Sequence, residues 1–142
     1  MKRYIKINSN NEIIDLFNWF YRGQFDGSEI ELDDTTPFLL TINGKTVLNE
    51  FGFPVFIWNG TSAVEKSQSE IDSDPDFIIF YKKLKKDELQ VYIGTHILDI
   101  LENHAWAEIV TQWGNFKQNA SSWTTKSQID TAFNNAINWL NT

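Results

Sequence analysis

Hydrophobic and polar residues alternate along the front of this chain and recur at intervals of three and four along its back half. In "RYIKIN", Ile5 and Ile7 fall on one side and Lys6 on the other, the period-two pattern of a half-buried strand. "SNN" can turn the chain, and "EIIDLFNWFY" then reads as a central strand or a short helix, its β-branched content favouring a strand. "EIELDD" alternates again, with Ile30 and Leu32 directed inward and Glu29, Glu31 and Asp33 outward.

Two Asn-Gly pairs predict hairpins, because both residues of a two-residue type I′ turn need positive φ. One hairpin is "FLLTI-NG-KTVLN", centred on Asn43 and Gly44, and the other is "VFIW-NG-TSAVEK", centred on Asn59 and Gly60. Gly52 and Pro54 between them mark a loop or the first residue of an edge strand. A capping box follows at Ser67 and Glu70, and Pro75 suits the first turn of a further helix with Asp76 near its positive end.

From Phe77 the period changes. Phe77, Phe80, Tyr81 and Leu84 form a helical stripe that Gly94 and Thr95 are expected to interrupt. Leu98, Leu101, Ala105, Ile109 and Trp113 predict a second helix over residues 95–116. Thr125 and Gln128 form another capping box, and Ile129, Phe133, Ala136, Ile137 and Leu140 line one face of a last helix opposite Asn134, Asn138 and Asn141.

The expected fold is α+β: an N-terminal antiparallel β meander with two Asn-Gly hairpins, followed by C-terminal helices packed on it. One domain is expected over residues 1–142, with a β-rich part at 1–66, an acidic junction at 67–76 and a helical part at 77–142. Apolar residues make up 42% and aromatic ones 15%, enough for a core rich in rings. With no cysteine, a disulfide framework, a thiolate nucleophile and a Cys-ligated zinc are excluded. The opening "MKRYIKINSNNE" has no apolar run to make it a secretory signal, and no segment reaches the ~20 apolar residues of a membrane span.

Net charge is −7, and its imbalance lies at the front: thirteen acids against six bases through Asp76, six of each thereafter. That argues against nonspecific nucleic-acid binding, which needs clustered Lys and Arg. The excess keeps the protein soluble or, in a sharper reading, presents an acidic face of Glu29, Glu31, Asp33 and Asp34 to a basic partner.

Candidate chemistry is sparse. "NGKT" resembles the end of a phosphate-binding loop, but the glycine needed five residues before Gly44 is Leu39, and a hairpin accounts for the tetrapeptide. His96 and His104 are eight apart on one predicted helix and point in different directions, so joint grip on a metal is awkward; each reads as a half-covered boundary residue, the alternative being a carboxylate-rich site with Asp99 and Glu108 nearby. No G-x-S-x-G elbow exists, and the paired acids Asp33–Asp34 and Asp87–Glu88 lie in exposed runs or beside lysines. No catalytic residue, metal or cofactor is assigned, and the chain reads as non-enzymatic. Of the tryptophans, Trp19 and Trp58 fall in the strand region and Trp106, Trp113 and Trp139 in helices. Trp123 sits in the polar connector "NASSWTT" and is the candidate for an exposed contact, the alternative being that it folds back over a helix end.

The stretches "MKRYIKINSNNEIIDLF", "FDGSEIELDD", "NEFGFPVFIWNG" and "VEKSQSEIDSD" together resemble small accessory proteins of tailed phages and prophages, of the type encoded near tail or tail-fibre genes. The resemblance covers about residues 1–76. It implies a virion-associated structural or assembly protein working through protein contacts, by self-association or with other virion proteins, without nucleic acid or membrane, in the virion or the bacterial host cytoplasm. Two other classes stay open: a small acidic phage-encoded inhibitor of a host defence protein, and a small-ligand or carbohydrate binder using exposed tryptophan.

Overall fold

The computed structural model describes residues 2–18, 26–34 and 39–142; Trp19, the "WFY" end of the second predicted strand and Phe38 of the first hairpin lie outside the described residues. The architecture is α+β, with antiparallel strands followed by helices. The strands are β1 (Arg3–Ile7), β2 (Ile13–Asn18), β3 (Ile30–Asp33), β4 (Phe56–Trp58) and β5 (Ala63–Glu65). The helices are α1 (Gln68–Asp72), α2 (Pro75–Ile100), α3 (Trp106–Asn119) and α4 (Lys126–Leu140). They fall into two compact units, Met1–Ile71 and Asp72–Thr142. Where the sequence pattern suggests one common interior, each unit carries a buried cluster of its own.

In the first unit the strands do not run as a single meander. β1 is central in a three-stranded sheet of order β2-β1-β3, and β4 and β5 form a separate antiparallel pair joined to it at the Glu12–Ile57 bridge. Two register shifts explain how the side chains sort. Ile13 and Leu16 are three apart, an odd spacing that a regular strand would send to opposite faces, yet both are buried. The β1–β2 register slips between Lys6 and Ile7, leaving Ile14 unpaired and 40% exposed, and this bulge restores both neighbours to the core face. They pack there with Ile5, Ile42, Val47, Val55 and Phe56, each fully buried side chain of this size contributing about 1.5–3 kcal/mol.

The two Asn-Gly pairs behave differently. Around Asn43 (φ 51°) and Gly44 (φ 76°), Ile42 and Lys45 exchange both backbone hydrogen bonds, at 2.8 and 2.9 Å, but the pairing goes no further than this bridge. Between β4 and β5 the connection is four residues long, because Trp58 pairs with Ala63. Asn59 keeps negative φ, its Oδ1 accepts the amides of Thr61 (2.9 Å) and Ser62 (2.8 Å), and its own amide donates to the Ser62 carbonyl (3.1 Å), so side chain and backbone together close the loop.

The junction follows local signals. Ser67 Oγ accepts the Glu70 amide at 3.1 Å and Glu70 reaches back to the Ser67 amide at 3.2 Å, opening α1. Asp74 caps α2 by accepting the amides of Asp76 (2.9 Å) and Phe77 (3.1 Å), with Pro75 in the first turn.

In the second unit the predicted break at Gly94 and Thr95 does not occur. α2 runs through both, bends at His96 (φ −109°, ψ 15°) and ends at Ile100. The chain turns over residues 101–105 instead. There the His104 ring stacks on Trp139 at 3.9 Å between centroids, and its Nε2 lies 2.9 Å from the Trp139 carbonyl. That long-range anchor, absent from any local pattern, sets the corner. α3 then starts with Glu108 accepting the Ala105 amide at 3.1 Å. The buried face is correspondingly Leu89, Ile100, Ile109, Phe116 and Leu140, whereas Leu98, expected inside, is 79% exposed. α4 has the expected capping box of Thr125 and Gln128 and the expected apolar face, with Ile129 and Leu140 buried. No helix among the described residues is long and apolar enough to cross a membrane.

Candidate functional site

The acidic row at the front of the chain is largely engaged by the cations of β1. The second register shift falls between Arg3 and Tyr4, so Arg3 faces Asp33 while Tyr4 faces Glu31 and Leu32 is the extra residue. This bulge turns Asp33, expected to point outward, onto the face of Arg3. The Arg3 guanidinium donates from Nε (2.7 Å) and Nη2 (2.6 Å) to the two Asp33 oxygens, and from Nη1 to the carbonyls of Leu39 (2.9 Å) and Thr41 (2.6 Å). Glu29, also expected outward, keeps only 3% of its side chain exposed, because it accepts the amides of Asp26 (2.9 Å) and Gly27 (3.0 Å) beside Lys6. Glu31 pairs with Lys2 at 3.1 Å and remains half exposed, and Asp34 is exposed.

Trp123 is not the exposed ring. It follows the 3-10 turn Ala120–Ser122 and packs edge-on against Phe116, 5.0 Å between centroids, as part of the second unit's cluster. Among the described residues the exposed tryptophan is Trp106 at the start of α3, 59% accessible. Being the first residue of its helix, it has no preceding turn to lie over, and long helical side chains cover the turn N-terminal to themselves.

The largest apolar exposure lies along α2. Phe80, Leu84 and Val91 follow at spacings of four and seven, and Leu98 and Leu101 lie beyond the bend at His96; Phe80 is 39%, Val91 67%, Leu98 79% and Leu101 42% exposed, with Leu84 half-buried. Leu84 and Val91 line an open groove of about 500 Å³ together with Asp87, Glu88, Tyr92, Thr95 and His96 of α2 and Phe133 of α4. Sequence reasoning missed this row because α2 carries apolar residues all round, so the inward stripe of Phe77, Ile78, Tyr81 and Leu89 does not stand out from the outward one.

Ionisable groups form two compact pairings. In the first unit Lys66 bonds Glu12, both side chains mostly buried. Burial, the largest influence, pushes the Glu12 carboxyl up, but the bonds from Lys66 and Asn8 outweigh it and hold the group below its ordinary value. In the second unit the Tyr81 hydroxyl bonds Asp130, which Lys126 also meets at 2.8 Å. Burial first and the Asp130 bond second push Tyr81 up to about 12; Asp130 is raised by burial and lowered further by Lys126 and Tyr81, ending below its ordinary value. His96 lies against Tyr92, 4.4 Å between rings, and His104 on Trp139, so the two expected on one helix stand on α2 and in the following turn. Among the described residues no three His, Cys, Asp or Glu side chains converge to hold a metal ion.

Compared with protein-family models, with curated proteins and with solved structures, the chain finds no match.

Proposed function

We propose that this protein works by contact with other polypeptides, a second copy of itself foremost, as a structural or assembly component of a tailed-phage or prophage particle. The observation that carries this reading is the exposure of Phe80, Val91, Leu98 and Leu101, with half-buried Leu84 between the first two. Over the 21 steps from Phe80 to Leu101 it extends roughly 30 Å. A row of this kind is self-complementary: two copies related by a two-fold axis cover it at once.

The phage setting rests on the resemblance of residues 1–76 stated above. The inhibitor reading relied on a free acidic row, and the engagement of Glu29, Glu31 and Asp33 by Lys6, Lys2 and Arg3 weakens it.

Mass spectrometry of purified particles tests the setting. The protein is expected at a fixed stoichiometry after density-gradient purification, and its complete loss from infectious particles overturns the virion assignment.

A further inference from the structure

The second unit carries six lysines. Lys82, Lys83 and Lys86 of α2 and Lys117 of α3 line one groove of about 290 Å³, floored by Phe116 and Ala120. The other two, Lys85 and Lys126, are paired with Glu88 at 3.0 Å and Asp130 at 2.8 Å. Among the described residues no carboxylate pairs with the four in the groove. The Lys117 ammonium also lies over the Trp113 ring, 5.2 Å from its centroid.

We propose that this groove binds an oligophosphate, either a free phosphate chain or the phosphates of a small organic ester such as a nucleotide. Charge density decides against an acidic peptide. Its carboxylates carry one charge each and those on one side of an extended chain stand roughly 7 Å apart, so a groove of this volume takes two at most. A di- or triphosphate carries three or four charges in less space, and lysine is a point-charge donor suited to it. The net charge of −7 is no obstacle, because screening over about 8 Å at physiological salt leaves the local lysines in control. The apolar floor of Phe116 and Ala120 is where an organic portion lies, if the ligand has one.

Isothermal titration of the full chain with inorganic tripolyphosphate and with a nucleoside triphosphate, at low salt, tests this. One binding event per chain is expected, weakening steadily as salt is raised. Lys86→Gln and Lys117→Gln are each expected to cost about tenfold in affinity, and the double variant more, with unchanged far-ultraviolet circular dichroism. Equal affinity for the two probes assigns recognition to the phosphate chain, and tighter nucleotide binding assigns the floor a part. Absence of binding by either probe at millimolar concentration overturns the proposal, as does full affinity in the double variant. Lys86 lies about 140° round the helix from Val91, so the double variant is expected to keep the wild-type molar mass in solution. Loss of anion binding at constant mass therefore separates this groove from the self-association surface.

Discussion

Arg3 and Asp33 face each other across the β1–β3 pair and are joined by two parallel hydrogen bonds of 2.7 and 2.6 Å, while the same guanidinium binds the carbonyls of Leu39 and Thr41. The Arg3 side chain is only 6% exposed, so removing its carboxylate leaves a buried cation without its counter-charge. Asp33→Ala is expected to destabilise the protein by about 3 kcal/mol in urea unfolding. Glu31→Gln, which touches the exposed Lys2 pair, should stay within about 0.5 kcal/mol. Equal effects of the two substitutions would place the strength of this sheet edge elsewhere.

Acid should weaken both units through Glu12 and Asp130. Each carboxyl is held below its ordinary value in the folded chain, so the unfolded chain takes up protons first as pH falls. Their contribution is full above the ordinary carboxylate values of about 4 and is lost as pH drops through the lower folded values. Denaturant unfolding from pH 6 to pH 2 is expected to show this fall, and Lys66→Met should flatten the share due to Glu12.

Alkali acts on Tyr81 in the opposite sense. Its folded value of about 12 lies above that of an unfolded tyrosine, about 10. The stabilisation is therefore complete below pH 10 and is lost as pH rises through 12. Ultraviolet titration should find one phenol ionising late, and Tyr81→Phe should remove that late step and the matching loss of stability.

The two Asn-Gly turns should respond to different substitutions. At the first, Gly44 holds φ 76° with open space around it, so Gly44→Ala suffers only backbone strain, about 1 kcal/mol. At the second, Asn59 supplies the oxygen that binds Thr61 and Ser62, so Asn59→Ala should cost about 1 kcal/mol although its backbone is unstrained. Thermal unfolding of Gly44→Ala and Asn59→Ala, with Asn59→Asp as the control that keeps the accepting oxygen, distinguishes the mechanisms.

Features that depend on a few neighbouring residues were legible in the sequence. Ser67 with Glu70 and Thr125 with Gln128 open helices where expected, because the bonds that define them span three residues. The inward face of α4 was legible for the same reason, its period being unbroken from Ile129 to Leu140. Features set by distant partners were not. The corner at residues 101–105 depends on His104 meeting Trp139, and the inward turn of Asp33 depends on a bulge that only pairing with β1 reveals. Trp123 misled because a polar connector says nothing about Phe116, the ring it covers. Of the proposed contact surface, Leu98 and Leu101 were visible as apolar positions, but their outward direction follows from where α2 ends.

Light scattering on the purified chain tests the central claim most directly. Across about 10–500 μM, a range that brackets modest interfaces, the wild type is expected to give a multiple of its 16.5 kDa mass. Val91→Glu with Leu98→Glu should return it to 16.5 kDa without loss of thermal stability, since both residues are mostly exposed. A wild-type chain that stays at 16.5 kDa throughout that range would contradict the account.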